Sequence, residues 1–219
     1  MKLSAPNISQ YLADCKNNED FFRTVRRAEE KDAAIKAVHF KDIFAESEDI
    51  CYGSFEGCVF ENCRFIGCDF ENTSFTDVRF IRCDFSNSRM DSAYFNRCEI
   101  TSSKLVGTNF NRATLKNLRV KASSLMYGVI SDSSFSQAVF DECDFTCAEI
   151  VKSSLRAFEV RNCRFVETNF FTTSLAGIDF SDSILTGIRV SENFRELKNA
   201  AVSPAQAAEL AALLGVIIK

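Results

Sequence analysis

Residues 53–72 read GSFEGCVFENCRFIGCDFEN, four five-residue units with a phenylalanine in the middle of each, at Phe55, Phe60, Phe65 and Phe70. Two places before each phenylalanine stands a small residue: Gly53, Cys58, Cys63 and Cys68. Counting outward in both directions, every fifth position from Ile50 to Val190 is large and apolar without a slip of register, and 15 of these 29 residues are Phe. The second column stays mostly small (Thr73, Cys83, Ser88, Ala93, Cys98), and the residues between the columns are mainly charged or polar. A period of five fits neither a helix face nor a flat strand. It fits a chain that turns a corner every five residues and sends one large and one small side chain inward from each side. Four sides close a coil of about 20 residues, so 50–190 makes about seven coils. Stacked like neighbouring strands, about 4.8 Å apart, they form a column roughly 34 Å long.

The units CDFEN (68–72), CRFIG (63–67) and CDFSN (83–87) resemble those of the pentapeptide-repeat family. That resemblance covers about two-thirds of the chain. It implies an all-β solenoid, a right-handed quadrilateral β-helix.

A solenoid exposes a strand edge and a disc of core at each end, so both ends need caps. We divide the chain into an N-terminal helical cap region at 1–49, the β-helix at 50–190, and a C-terminal helix and tail at 191–219. At the front, residues 7–37 read as helical, with Phe21, Val25, Ala28 and Ile35 at helical spacing. Phe40 is in phase with the column, Ala45 breaks it, and Glu46-Ser47-Glu48-Asp49 reads as a loop. At the back, Ser203 is an N-cap, Pro204 the first helical residue, and Gly215 the stop of a helix with the stripe Ala207, Leu210, Ala211 and Leu214. This tail resembles the dimerisation segment of the Qnr and MfpA group within the family. The resemblance implies a homodimer interface through Leu210, Leu213, Leu214, Val216, Ile217 and Ile218.

The 219 residues carry a net charge of −4, too mild to imply a partner by itself. The first twenty residues lack the apolar core of a secretion signal, and no apolar run approaches a membrane span. Ten cysteines without an export signal point to the reducing cytoplasm. No phosphate loop, nucleophile elbow or zinc-protease motif is present, and the lone His39 reads as structural, so the expectation is a non-enzyme with no cofactor and no metal. Seven cysteines (Cys58, Cys63, Cys68, Cys83, Cys98, Cys143, Cys163) fall in the small inward column and read as small buried hydrophobes. Cys15, Cys51 and Cys147 lie outside it and are the expected reactive thiols.

Charge varies along the axis. Residues 50–99 and 140–190 are mainly acidic, whereas 100–139 hold Lys104, Arg112, Lys116, Arg119 and Lys121 against Asp132 alone. At 3.4 Å per base-pair step, the column matches about ten base pairs of duplex. The Qnr/MfpA resemblance implies a protein-binding rod that imitates DNA, engages DNA gyrase or topoisomerase IV, and gives quinolone resistance. It implies no direct contact with nucleic acid or membrane. Glu56, Glu61, Asp141, Glu142 and Asp144 are the expected partner-binding carboxylates. The alternative is an interaction scaffold or adaptor for another protein, supported by an outward apolar column at Ile66, Val106, Met126 and Val166.

Overall fold

The computed structural model describes residues 3–213 and 215–217. Each coil takes 20 residues, and from Ile35 to Thr186 the strands pair in parallel between positions 20 apart, as in Phe55↔Phe75 and Ile100↔Val120, while Ala13–Cys15 pairs 25 residues on with Val38–Phe40. About eight coils stack into one β-solenoid. Its four sides are numbered here by their central inward residues. Face 1 holds Phe55, Phe75, Phe95 and Leu115; face 2 holds Phe60, Phe80, Ile100 and Val120. Face 3 holds Phe65, Phe85, Leu105 and Phe145, and face 4 holds Phe70, Met90, Phe110 and Ile150. Inside, the rings stack along the axis and meet edge to face around the corners. Phe55 and Phe75 are 5.4 Å apart and 10° from parallel, whereas Phe75 and Phe80 are 5.3 Å apart at 75°. Both arrangements suit the ring quadrupole.

The corners explain the fifth residue of each unit. It has positive φ at almost every turn, including Asn62 (54°), Asn72 (57°) and Asn87 (59°). Asn, Asp and Gly enter this left-handed region most readily. Gly107 (φ 66°) is required twice over, because a Cβ there would lie 2.6 Å from the Asn87 Oδ1.

The small column does more than fill space. Its hydroxyls and thiols donate to the carbonyl 23 residues earlier, one coil down. Ser88 Oγ reaches Phe65 O at 2.7 Å, Thr108 Oγ1 reaches Phe85 O at 2.8 Å, and Cys98 Sγ reaches Phe75 O at 3.3 Å. Several of the same hydroxyls accept from the amide of the coil below, as Ser88 Oγ does from Cys68 N at 3.0 Å. Buried backbone groups near the corners thus find partners without leaving the column. The aspartate of the CDF unit is also structural: Asp69 and Asp84 accept the amides of Glu71 and Ser86 at 2.9 and 3.0 Å.

The stack begins earlier than the apolar column suggests. Strands β1 (Ala13–Cys15), β2 (Ile35–Lys36), β3 (Val38–Lys41) and β4 (Phe44–Glu46) precede position 50, and the last three form the first coil. The expected helix over 7–37 is confined to α1 (Asn18–Glu30), capped by Asn17, whose side chain accepts from the Asp20 amide. Residues before it run extended along the corner between faces 1 and 2: Asn7 N donates to Asp77 Oδ1 at 2.9 Å, and Ser4 N to Asn117 Oδ1 at 3.4 Å.

At the far end, α2 (Pro204–Leu213) starts at the expected residue, and Gly215 follows with φ 76°. Its buried residue is Gln206 rather than the alanine–leucine stripe. Ser203 and Gln206 form a reciprocal capping box, with Ser203 N to Gln206 Oε1 at 2.7 Å and Gln206 N to Ser203 Oγ at 3.3 Å. The Gln206 amide also donates to Phe180 O at 2.9 Å and Ser183 O at 2.6 Å, closing the edge of the last coil.

Candidate protein-binding surface

Rigid coils place outward residues in straight files, so the charge of each face can be read separately. Face 4 begins with an acidic strip: Asp49 and Asp69 stand in register, with Glu71 and Asp91 beside them. Arg89 holds three of these, at 2.6 Å from Asp69, 3.0 Å from Glu71 and 3.5 Å from Asp91. Asp91 is buried, and its Oδ2 has no hydrogen-bond partner. Reading positions 20 apart within one face would have found this strip in the sequence; an axial charge count could not.

The five carboxylates expected from the sequence are not brought together. Glu56 lies on face 1 and pairs with Lys36 at 2.7 Å. Glu61 lies on face 2 between His39, at 3.0 Å, and Arg82. Asp141, Glu142 and Asp144 lie around the corner between faces 2 and 3, four coils further on. Lys121 stands 3.2 Å from Asp141 and 3.8 Å from Glu142. Asp144 accepts from Thr146 N at 2.9 Å and Thr146 Oγ1 at 2.6 Å. The basic residues of 100–139 ring the column at about one axial level: Lys104 is on face 3, Arg112 at the corner of faces 4 and 1, Lys116 on face 1, and Arg119 and Lys121 on face 2.

His39 is part of an axial ladder. Its Nε2 lies 3.0 Å from Glu61 and its Nδ1 3.7 Å from Asp14, so it ties β1 to the first coils. Among the described residues no cluster of three or more His, Cys, Asp or Glu has the arrangement of a metal site.

The expectation of three reactive cysteines is corrected. Cys15 is buried. Cys51 is half-buried, and burial with the nearby Asp49 and Asp69 pushes its thiol up to about 12. Cys147 is also half-buried; desolvation and a hydrogen bond to Glu167 push its thiol up. The stacked pairs Cys63/Cys83 and Cys143/Cys163 are free thiols. The Cys83 neighbour and burial push Cys63 up, and Cys163 with burial does the same to Cys143.

In the tail, Leu210 is half-buried against the end of the core, whereas Leu213, Val216 and Ile217 are 42%, 52% and 83% exposed. Leu214 and Ile218 lie outside the described residues. No described helix is long and apolar enough to cross a membrane.

These files of side chains on a closed stack define a β-solenoid. Residues 54–99 match the family described as Pentapeptide repeats (9 copies), and residues 93–170 match the Pentapeptide repeat region. The chain belongs to the pentapeptide-repeat family. Among solved structures, a trypsin-treated point variant of QnrB1, a plasmid-mediated fluoroquinolone resistance protein, aligns over 83% of this chain and 99% of its own, at 16% identity and a TM-score of 0.52. A second trypsin-treated point variant of QnrB1 aligns over 83% and 91%, at 17% identity and a TM-score of 0.51. At these identities the likeness is one of fold. No curated protein sequence matches the chain.

Proposed function

We propose that this chain is a non-catalytic protein-binding rod that presents the carboxylates of face 4 to the basic, DNA-binding surface of a type II topoisomerase, DNA gyrase or topoisomerase IV. The observation that carries this reading is the strip Asp49, Asp69 and Glu71, held on one flat face in rigid register with Arg89 between the coils. Carboxylates at fixed spacing along a rod imitate a phosphate file, and electrostatic complementarity of that kind steers association. The fold shared with QnrB1, itself a fluoroquinolone resistance protein, supports it. Ten free cysteines suit a reducing compartment such as the bacterial cytoplasm. The exposed Leu213, Val216 and Ile217 support a two-fold homodimer through the tail.

The test is gyrase supercoiling under ciprofloxacin across a titration of the protein. The expected result is rescue at micromolar protein, weakened by added salt and by Glu71→Lys. Neither rescue nor inhibition with gyrase from the source organism overturns the proposal. A second reading, a scaffold for a different protein, rests on face 3, where half-buried Ile66, Val106, Met126 and Val166 share a file with Ser86 and Thr146, and Phe44 and Ile184, each 44% exposed, stand in the parallel file of Arg64.

A further inference from the structure

Face 1 differs from the other three. From Tyr94 to Ala176 its outward positions carry hydroxyl, amide or small side chains, apart from Lys116 and Arg156, and there is no carboxylate. In a chain with 30 acidic and 26 basic residues this is an electrostatic exception. Arg112 and Lys152 flank the strip at its corner with face 4, and Arg119 stands just past its corner with face 2. The acids at those borders are Asp132, which accepts from Ser131 Oγ at 2.9 Å, Asp91, 3.5 Å from Arg112, and Glu99 and Glu159 in the file of Arg119, paired with Arg79 at 3.1 Å and Arg161 at 3.0 Å. Among the described residues Arg119 and Arg156 have no ion-pair partner, and Lys116 sits 5.6 Å over the Tyr94 ring. The neighbouring corner already holds an extended peptide, since the chain's own residues 4–7 run along it and bond through their amides to Asn117 and Asp77.

We propose that face 1 from Tyr94 to Ala176 is a docking strip for a short, extended, acidic peptide segment of a partner protein. Charge complementarity sets the sign of the ligand. The exposed hydroxyls and amides of Ser134, Ser154 and Gln137 can donate to carboxylate oxygens between the cations. The strip sets the size. Five coils, four spacings of about 4.8 Å, match about six residues of extended chain at about 3.3 Å each. One face is only about three residues, roughly 10 Å, across. A nucleic-acid duplex is wider and would press its phosphates against Asp132 and Glu149 toward face 4 and Glu159 on face 2. The strip is separate from the acidic file of face 4, so it stands or falls independently of topoisomerase binding.

The test is fluorescence anisotropy with labelled hexaglutamate at about 50 mM salt, where surface charges are weakly screened. Hexalysine and a short oligonucleotide serve as comparison probes. Saturable binding of hexaglutamate is expected, weakened at least about tenfold, or about 1.4 kcal/mol, by Lys116→Glu with Arg156→Glu. The same charge change at Lys41 and Lys104, on faces 2 and 3, is expected to shift the affinity less than about twofold. Circular dichroism reports whether each pair keeps the β-solenoid, and Lys116→Gln with Arg156→Gln replaces a pair that does not. Absence of saturable hexaglutamate binding overturns the proposal. So does equal weakening by the control pair, or oligonucleotide binding as tight as that of hexaglutamate.

Discussion

The ring of Phe21, on α1, lies 5.4 Å from the ring of Phe65 and 5.3 Å from that of Phe40, in the place that a large side chain at position 45 would occupy. Ala45 is in register with Phe65 and is the one small residue in the inward file of face 3. The helix therefore supplies the phenylalanine that the first coil lacks. Phe21→Ala should cost about 3–5 kcal/mol in denaturant unfolding, because it leaves a cavity at the open end of the core. Ala45→Phe should also destabilise, by overpacking. The two together should cost less than the sum of the singles. A loss under about 1 kcal/mol for Phe21→Ala would show that α1 does not plug the core.

Removing Gln206 should loosen the other end. Gln206→Leu removes the side-chain donor to Phe180 O and Ser183 O; Phe180 O keeps the Ser183 amide, whereas Ser183 O loses its donor, at about 1–3 kcal/mol. Hydrogen exchange should speed up in α2 and the last coil while the middle coils stay protected. Uniformly faster exchange would point to a global rather than a terminal effect.

Glu196 gives the C-terminal end an acid-sensitive joint. It is buried, and its carboxylate accepts from Thr172 N at 2.8 Å and Ser191 Oγ at 2.7 Å. Burial pushes its carboxyl up, but the Ser191 hydroxyl and the backbone amides outweigh that, and the net shift is downward. A depressed folded value means that the stabilisation is present above the unfolded value of about 4.3 and is lost as pH falls through the folded value. Glu196→Gln should therefore lower Tm most at neutral pH, and the gap from wild type should close below about pH 4. A gap independent of pH would remove the ionised carboxylate from the account.

Asp77 pins the N-terminal segment. It accepts from Nε and Nη2 of Arg97, each at 2.7 Å, and from Asn7 N at 2.9 Å, and its hydrogen bond with Arg97 holds its carboxyl below the usual range. Asp77→Ala should free residues 3–12 to proteases several-fold faster, with the solenoid itself still resistant. An unchanged cleavage rate would mean that other contacts hold the segment.

Thiol labelling should be slow everywhere in the folded protein. Cys51 keeps its proton up to about pH 12. At neutral pH it thus offers on the order of a thousandfold less thiolate than an ordinary cysteine of pKa about 8.5. Asp69→Asn should speed its reaction with maleimide. Rapid labelling of Cys83 or Cys143 would contradict their inward placement.

The inward architecture was legible because a fixed period leaves no freedom in which side chain points in. Phe55, Phe60, Phe65 and Phe70 announce it on their own, and the Ser203–Gly215 helix carries its own start and stop signals. The small column was read correctly as inward but only as filler. Its hydrogen bonds, such as Ser88 to Phe65 O, join residues 23 apart and leave no trace in local pattern. The first coil was hidden because Ala45 interrupts the file of large residues, and only the packed Phe21 shows that the interruption is filled.

The sequence by itself determined the repeat, its inward columns and the helical C-terminal cap, since period and capping chemistry are local properties of the chain. The tertiary structure alone decided which charges pair with one another, as Arg89 does with Asp69 and Glu71. A basic run along the chain is dispersed over three faces and a corner once the chain is wound, whereas Asp49, Asp69, Glu71 and Asp91 become neighbours. Winding turns a separation of 20 residues into one strand spacing of about 4.8 Å, so electrostatic neighbours are set by the coil and not by order along the chain.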